Sequence, residues 1–248
     1  MDITNNTEAV YLFLFGISIL ASFIDSIAGG GGLLTTPSML LVGINPLTVL
    51  GTNKFQSSFS TFTSSRNYYA NGYLTDIHRN KYFILSFIGS SAGTLMVSRL
   101  SDEILRTLIP ILLITVAVFF IINRQVKTDL SNYIVLLTPL IFLIGFYDGF
   151  FGPGTGSFFV MLFLVFKNQS LLESTATSKL LNFASNFAAF IIFAVQGFVM
   201  WELGLIMAVG GIGGAYLGSK SAIKVGDKLI RPILVVVSIM LSIRILTS

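Results

Sequence analysis

Cysteine is absent from the 248 residues, and histidine occurs once. Disulfides, thiolate metal sites and cysteine nucleophiles are therefore excluded, and no metal or cofactor site is expected. Charge is almost as scarce. Asp, Glu, Lys and Arg make up 10% of the chain, against about 25% in soluble domains. No polar stretch is long enough to fold alone, so no soluble domain is expected. There is no basic run, so the net charge of +4 has topological meaning and gives no reason to expect a nucleic-acid partner. The segment 1–8 is acidic and lacks the basic opening of a signal peptide. The first apolar segment is therefore expected to be retained as a membrane helix.

What the chain has in their place is apolar residues, 54% of the total, with a mean hydropathy of +0.85. This predicts an all-α, polytopic transmembrane bundle with the lipid bilayer as its surroundings. A spanning helix needs about 20 apolar residues. Eight such spans are predicted, near 9–28, 47–69, 80–99, 104–123, 132–149, 171–196, 202–220 and 228–246. Two shorter apolar pieces, near 36–43 and 156–166, are too short to cross a hydrocarbon core at about 1.5 Å per residue. They are expected as half-helices or re-entrant segments. Irregular backbone at that depth is tolerated where protein buries it or a cavity adjoins it.

The chain also repeats itself. Asp25-Ser26-Ile27-Ala28-Gly29-Gly30-Gly31-Gly32 returns as Asp148-Gly149-Phe150-Phe151-Gly152-Pro153-Gly154-Thr155, an offset of 123 residues. Thr52-Asn53-Lys54 returns as Thr177-Ser178-Lys179, and Asn71-Gly72-Tyr73 as Gln196-Gly197-Phe198, both at an offset of 125. The halves are read as 1–124 and 132–248, joined by a linker at 125–131, within one membrane domain. With the short piece counted as one pass, each half has five passes, so the second half inserts inverted. Basic residues support this. With the N-terminus outside, the inner loops hold Arg66, Arg79, Lys81, Arg124, Lys127, Lys167, Lys220, Lys224, Lys228 and Arg231, while Arg99, Arg106 and Arg244 fall outside. Ten against three is the bias of cytoplasmic loops. Two matched halves with broken hydrophobic segments are the pattern of a transporter whose site lies between its repeats.

Lys54 and Lys179 lead the candidate site residues. Each sits about two turns into a span, where an ammonium is costly unless paired or wet. Lys54, Ser57, Ser58, Thr61 and Ser65 share one helical face, and Lys179, Asn182 and Asn186 repeat part of that stripe. A polar stripe at helical spacing faces something other than lipid. The glycine-rich breaks expose backbone amides. Thr36 is expected as an N-cap and Pro37 as the first helical residue, turning the positive helix end toward the break. Gly30, Gly31, Gly154 and Thr155 would then supply donors beside the lysines, as helix N-termini do for anions. Asn53, Ser57 and Asn182 would add directed hydrogen bonds. Asp25 and Asp148 are intramembrane carboxylates, readable as proton carriers, as counter-charges to the lysines or as plain ion pairs. Phe55, Phe59 and Phe183 are candidates for the cavity wall, Trp201 for an interface anchor. His78 reads as a solvated loop residue. The glycines at 89, 93, 210, 211, 213, 214 and 218 read as helix-packing positions.

The doubled pattern, Asp25…Gly29-Gly30-Gly31-Gly32…Thr35-Thr36-Pro37 with Gly51-Thr52-Asn53-Lys54, and Gly149…Gly152-Pro153-Gly154-Thr155-Gly156 with Ala176-Thr177-Ser178-Lys179, resembles the sulfite exporter TauE/SafE family over nearly the whole chain. The second copy departs in Pro153, which stands at a glycine position, and in Ser178, where the first half has Asn53. The resemblance implies transport of sulfite, sulfonates or other sulfur-containing anions across the cytoplasmic membrane. The expectation is a secondary transporter, not an enzyme, exporting a small anion by alternating access. An anion channel and a cation-coupled importer are the alternatives. Substrate, direction, coupling ion (a proton or sodium) and assembly into a homo-oligomer stay open.

Overall fold

Long apolar runs interrupted by Gly, Pro and Asn fold into helices that stop where those residues stand. The computed structural model describes residues 7–122 and 130–226, and no strand occurs among them. The helices are α1 (Thr7–Ala28), α2 (Gly32–Leu41), α3 (Pro46–Ala70), α4 (Arg79–Val97), α5 (Asp102–Ile122), α6 (Leu137–Phe150), α7 (Thr155–Lys167), α8 (Leu171–Val195) and α9 (Trp201–Val225). A 3-10 stretch, Ser131–Leu136, leads into α6. The ends follow local chemistry. Pro46 opens α3, where its missing N–H is no loss. Ser170 accepts a hydrogen bond from the Glu173 amide, and the Glu173 carboxylate accepts one from the Ser170 amide at 3.0 Å, a capping box.

Seven of the eight predicted spans coincide with described helices, and the eighth, near 228–246, lies outside the described residues. Four segments are long and apolar enough to cross a membrane on length and composition: Thr7–Ala28, Ser131–Phe150, Leu171–Val195 and Trp201–Val225. α3 has 25 residues, yet it buries Asn53, Lys54, Gln56, Ser58, Ser60, Thr61, Ser64 and Ser65, so its polarity faces protein. α2 and α7 are the expected short apolar helices.

The start of α2 corrects one expectation. Gly31 holds the N-cap position, α2 begins at Gly32, and Pro37 lies inside the helix. Thr36 is therefore no cap. The chain turns earlier because Gly29 and Gly30 take φ of +84° and +93°, a left-handed backbone open to glycine at little cost. α2 can then start one turn ahead of the proline.

α1 packs along α9 and α4 along α6, while α3 and α8 lie against each other and against α9 and α4 respectively. Each half of the sequence repeat thus sets its first helix against the fourth helix of the other. Glycines bring these helices to backbone contact, as expected of the packing positions in the sequence. A Cβ on Gly149 would strike the Ser90 carbonyl oxygen, one on Gly93 that of Phe146, and one on Gly214 that of Ile19. Gly213 is the exception, with open space around it. Hydroxyls then reach across: Ser86 Oγ donates to the Leu181 carbonyl at 2.8 Å and Ser90 Oγ to that of Ser185 at 2.6 Å. Leu12, Leu20, Ile88, Leu143 and Val209 face outward while serines, threonines, asparagines and both lysines are inside. That inside-out distribution suits lipid, where apolar side chains have no need to hide and polar ones must find partners.

The loops meet in two groups. Asp76, after α3, contacts Lys167 at the end of α7 and Gln169 just beyond it. In the other group Gln196, after α8, donates to Ser98 Oγ after α4, and Arg106 of α5 donates to Asn45 ahead of α3.

Candidate functional site

The site begins at the two breaks. Gly29 packs so closely against Gly156 and Ser157 that a Cβ there would strike the Ser157 amide nitrogen. The breaks therefore touch, and Ser157 Oγ donates to the Ala28 carbonyl at 2.8 Å across the contact. The second break turns on Gly152 and Gly154, with φ of +101° and +89°, before α7 begins at Thr155.

The lysines enter from α3 and α8, and each pairs with the other half. Lys54 Nζ lies 2.8 Å from Asp148 Oδ1, and Lys179 Nζ lies 2.9 Å from Asp25 Oδ2. Lys54 is 1% exposed and Lys179 fully buried, Asp148 2% exposed and Asp25 16%. Two ammonium groups and two carboxylates thus balance in the middle of the bundle. An unpaired charge there would be prohibitive. Asp25 Oδ1 also accepts from the Gly31 amide at 3.0 Å, so a break amide and a lysine hold one carboxylate.

Between the breaks, α3 and α8 lies a cavity of about 20 Å³, of the order of one water molecule. Its lining includes Asp25, Gly30, Gly31, Asn53, Lys54, Ser57, Asp148, Gly154, Thr155 and Asn182. The structure therefore brings the sequence candidates together. Lys179 stands just behind them: a Cβ on Gly156, itself in the lining, would be 3.0 Å from Lys179 Nζ. Several of these groups are already engaged. Thr35 Oγ1 donates to Asn53 Oδ1 at 2.7 Å, and Asn186 Nδ2 donates to the Asn182 carbonyl at 2.7 Å. Two members of the predicted stripe on α3 are buried away from the cavity. Ser58 Oγ turns back to the Lys54 carbonyl at 2.7 Å, and neither it nor Ser65 reaches the cavity.

The phenylalanines are a correction. Phe55 packs against Phe59, Phe190 and Trp201, and Phe183 against Phe62, Phe83 and Phe187. None of Phe55, Phe59 and Phe183 lines the cavity. Rings gain more from one another and from lipid than from a polar hollow. Trp201 is half exposed at the start of α9. His78 is exposed in the loop ahead of α4, its amide donating to Asp76 Oδ1 at 2.8 Å.

Gly152 and Gly156 of the second break are in the lining as the break reading implies, whereas sequence reasoning missed Ser22, Thr35, Gln56 and Ser60 there. Asn53, Ser57 and Ser60 do fall at helical spacing, and a stripe started one residue before Lys54 would have found Ser60. Ser22 and Gln56 carried no such signal. They meet because α1 crosses α3, where Gln56 Nε2 donates to Ser22 Oγ at 2.9 Å. Among the described residues no group of three or more His, Cys, Asp or Glu could hold a metal ion.

The chain as a whole has relatives among known sequences. The family model described as "Sulfite exporter TauE/SafE" matches residues 14–245. The chain is 41% identical over 242 residues to "Probable membrane transporter protein ORF9" of Sinorhizobium sp, covering 95% of this chain and 92% of that protein. It is 37% identical over 238 residues to "Probable membrane transporter protein YfcA" of Escherichia coli K12, covering 94% and 88%. A "Probable membrane transporter protein" of Haemophilus influenzae is 36% identical over 251 residues, covering 98% and 95%. No solved structure gives a significant match. With its apolar helices, buried charges and a match spanning nearly its whole length, this multi-pass membrane protein belongs to the sulfite exporter TauE/SafE family of membrane transporters.

Proposed function

We propose that the protein is a secondary transporter that exports a small sulfur-containing anion, such as sulfite or an organosulfonate, across the cytoplasmic membrane by alternating access. The observation that carries this reading is the crossed pairing of Lys54 with Asp148 and Lys179 with Asp25 beside one cavity. Each lysine is held by a carboxylate from the opposite half. An incoming anion competes with that carboxylate for the ammonium, and a charge-assisted hydrogen bond to an oxyanion replaces the one to aspartate. Lys54 and Lys179 supply charge, while Asn53, Ser57, Asn182 and the amides around Gly30, Gly31, Gly154 and Thr155 supply directed donors.

The cavity has room for about one water, so an anion enters only as the halves move apart. Such a motion loosens one end of the crossed arrangement before the other. The two loop groups support the inverted reading. Asp76, Lys167 and Gln169 meet at the side assigned to the cytoplasm, and Asn45, Arg106, Ser98 and Gln196 meet at the side assigned outside. With 228–246 as the eighth span, the N-terminus lies outside and the chain has two inverted halves. The inside-negative potential favours export at about 2.3 kcal/mol per charge per 100 mV.

The reading is tested with purified full-length protein. Sulfite, thiosulfate, sulfate, sulfoacetate and taurine are screened for thermal stabilisation, because a ligand that binds only the folded state raises Tm. Stabilising anions are then followed into proteoliposomes. Saturable flux with counter-exchange is expected. Flux without counter-exchange indicates a channel, sodium-dependent uptake a cation-coupled importer, and no binding by any of the five overturns the proposal.

A further inference from the structure

The crossed pairs are unequal. Asp25 uses both oxygens, Oδ1 with the Gly31 amide at 3.0 Å and Oδ2 with Lys179 at 2.9 Å. Asp148 uses one. Its Oδ1 meets Lys54 Nζ at 2.8 Å, while Oδ2 is buried and receives no hydrogen bond among the described residues. The carboxylate is 2% exposed and lines the cavity. Tyr147, the adjacent phenol, cannot serve it, because its hydroxyl donates to the Pro153 carbonyl at 2.6 Å. The hydroxyls of α4 are committed too: Ser90 donates to the Ser185 carbonyl, and Thr94 Oγ1 faces the carbonyls of Ser90 and Gly149. Thr155 Oγ1 donates to the Gly152 carbonyl.

Now let an anion take Lys54. Even where the anion also draws on Lys179, Asp25 is held on its other oxygen by the Gly31 amide. Asp148 loses its one protein donor and is left as a carboxylate that no protein group holds, beside a cavity with room for about one water. A buried carboxylate in that position neutralises by taking a proton, since the charged form has lost its partner and meets little solvent. The charged and titratable groups around it are Lys54 on α3, Tyr147 on its own helix, and across the cavity Asp25 on α1 with its partner Lys179 on α8. α4 and α7 contribute hydroxyls and backbone groups, as above. The Asp25 charge, on the far side of the cavity, further disfavours a bare Asp148.

We infer that Asp148 is the site at which a proton is taken up when an anion binds, so that anion and proton are carried together. The inference rests on the anion-transport reading. A proton from the water-exposed side bonds to Asp148 Oδ2 and gives a neutral carboxylic acid. Lys54 stays an ammonium and holds the anion. On the opposite side the anion leaves, the acid returns its proton to water, and Lys54 pairs with the carboxylate again. For a monoanion the cycle carries no net charge and the membrane potential gives export no drive, whereas a dianion still carries one net negative charge outward with the potential.

The test is calorimetric titration of the purified full chain with thiosulfate and with methanesulfonate, both fully ionised near neutral pH, so a proton taken up belongs to the protein. Repeating it in buffers of different ionisation enthalpy counts that proton. Wild type is expected to take up close to one proton per anion, Asp148→Glu to retain the uptake and Asp148→Asn to lose it. An infrared carboxylic-acid carbonyl band is expected on anion addition to wild type. Binding without proton uptake in wild type overturns the inference and leaves anion transport standing. Uptake retained in Asp148→Asn, or lost in Asp25→Asn and retained in Asp148→Asn, also overturns it. If neither anion binds, and the five-anion screen is equally silent, the transport reading falls and the inference with it.

Discussion

Lys54 of α3 and Asp148 of α6 form a buried ion pair of 2.8 Å across 94 positions of sequence. Lys179 and Asp25 form its counterpart at 2.9 Å. Each pair ties one half of the repeat to the other, so the groups suited to hold an anion are also those that close the bundle when no anion is bound. Breaking one partner of such a pair costs about 3–5 kcal/mol, because a buried charge is left alone. Lys54→Ala and Asp148→Ala are each expected to lower Tm strongly in detergent. Lys54→Met combined with Asp148→Leu is expected to recover most of the loss while abolishing flux. A double variant no more stable than the singles contradicts this.

Gly29 and Gly43 have the same φ, +84°, in different surroundings. A Cβ on Gly29 meets the Ser157 backbone, whereas Gly43 has nothing within 4 Å. Gly43→Ala is expected to cost only the left-handed backbone strain, about 1–2 kcal/mol. Gly29→Ala is expected to cost more and to reduce flux, since it pushes the two breaks apart. Thermal unfolding and proteoliposome flux check both, and equal losses in the two variants would refute the close contact.

On α9, Gly214 lies in backbone contact with Ile19 and Gly213 faces open space. Gly213→Ala is expected to be neutral or to gain up to about 1 kcal/mol from helix propensity. Gly214→Ala is expected to destabilise by forcing α1 and α9 apart. Matched melting curves of the two variants check the packing, and a fall in the first but not the second would contradict it.

Asp76 is buried where the loops after α3 and α7 meet. It accepts from the His78 amide at 2.8 Å, from Lys167 at 3.2 Å and from Gln169 at 3.3 Å. Lys167 is 23% exposed. Lys167→Ala is expected to cost about 1 kcal/mol or less, diminishing with salt. Asp76→Ala strands three donors and is expected to cost about 2–3 kcal/mol. Melting curves at low and high salt separate the two.

Much of the architecture was legible because lipid leaves few choices. Apolar runs of spanning length are read as helices, and the seven predicted runs within the described residues coincide with helices, four of which are long and apolar enough to cross a membrane. The lysines, asparagines and break glycines were legible because buried polarity in such a chain has few innocent explanations. Thr36 and Pro37 misled because capping preferences are local. The break is set instead by where Gly29 can approach Ser157, a contact between segments more than a hundred residues apart. The phenylalanines misled for a similar reason, since nothing in a helical stripe says whether its flank meets a cavity or another ring.

Composition and spacing alone determined that this chain lives among lipid, folds as helices and carries two matched charged breaks, because burial in hydrocarbon penalises every other arrangement. Only the tertiary structure decided which aspartate answers which lysine. Both carboxylates lie in reach of either half by sequence, and the exchange of partners arises from α1 lying on α9 and α4 on α6. The same packing leaves one carboxylate oxygen of Asp148 without a donor while both oxygens of Asp25 are bound. Such a difference between two copies of one motif comes from the shape of the assembled bundle.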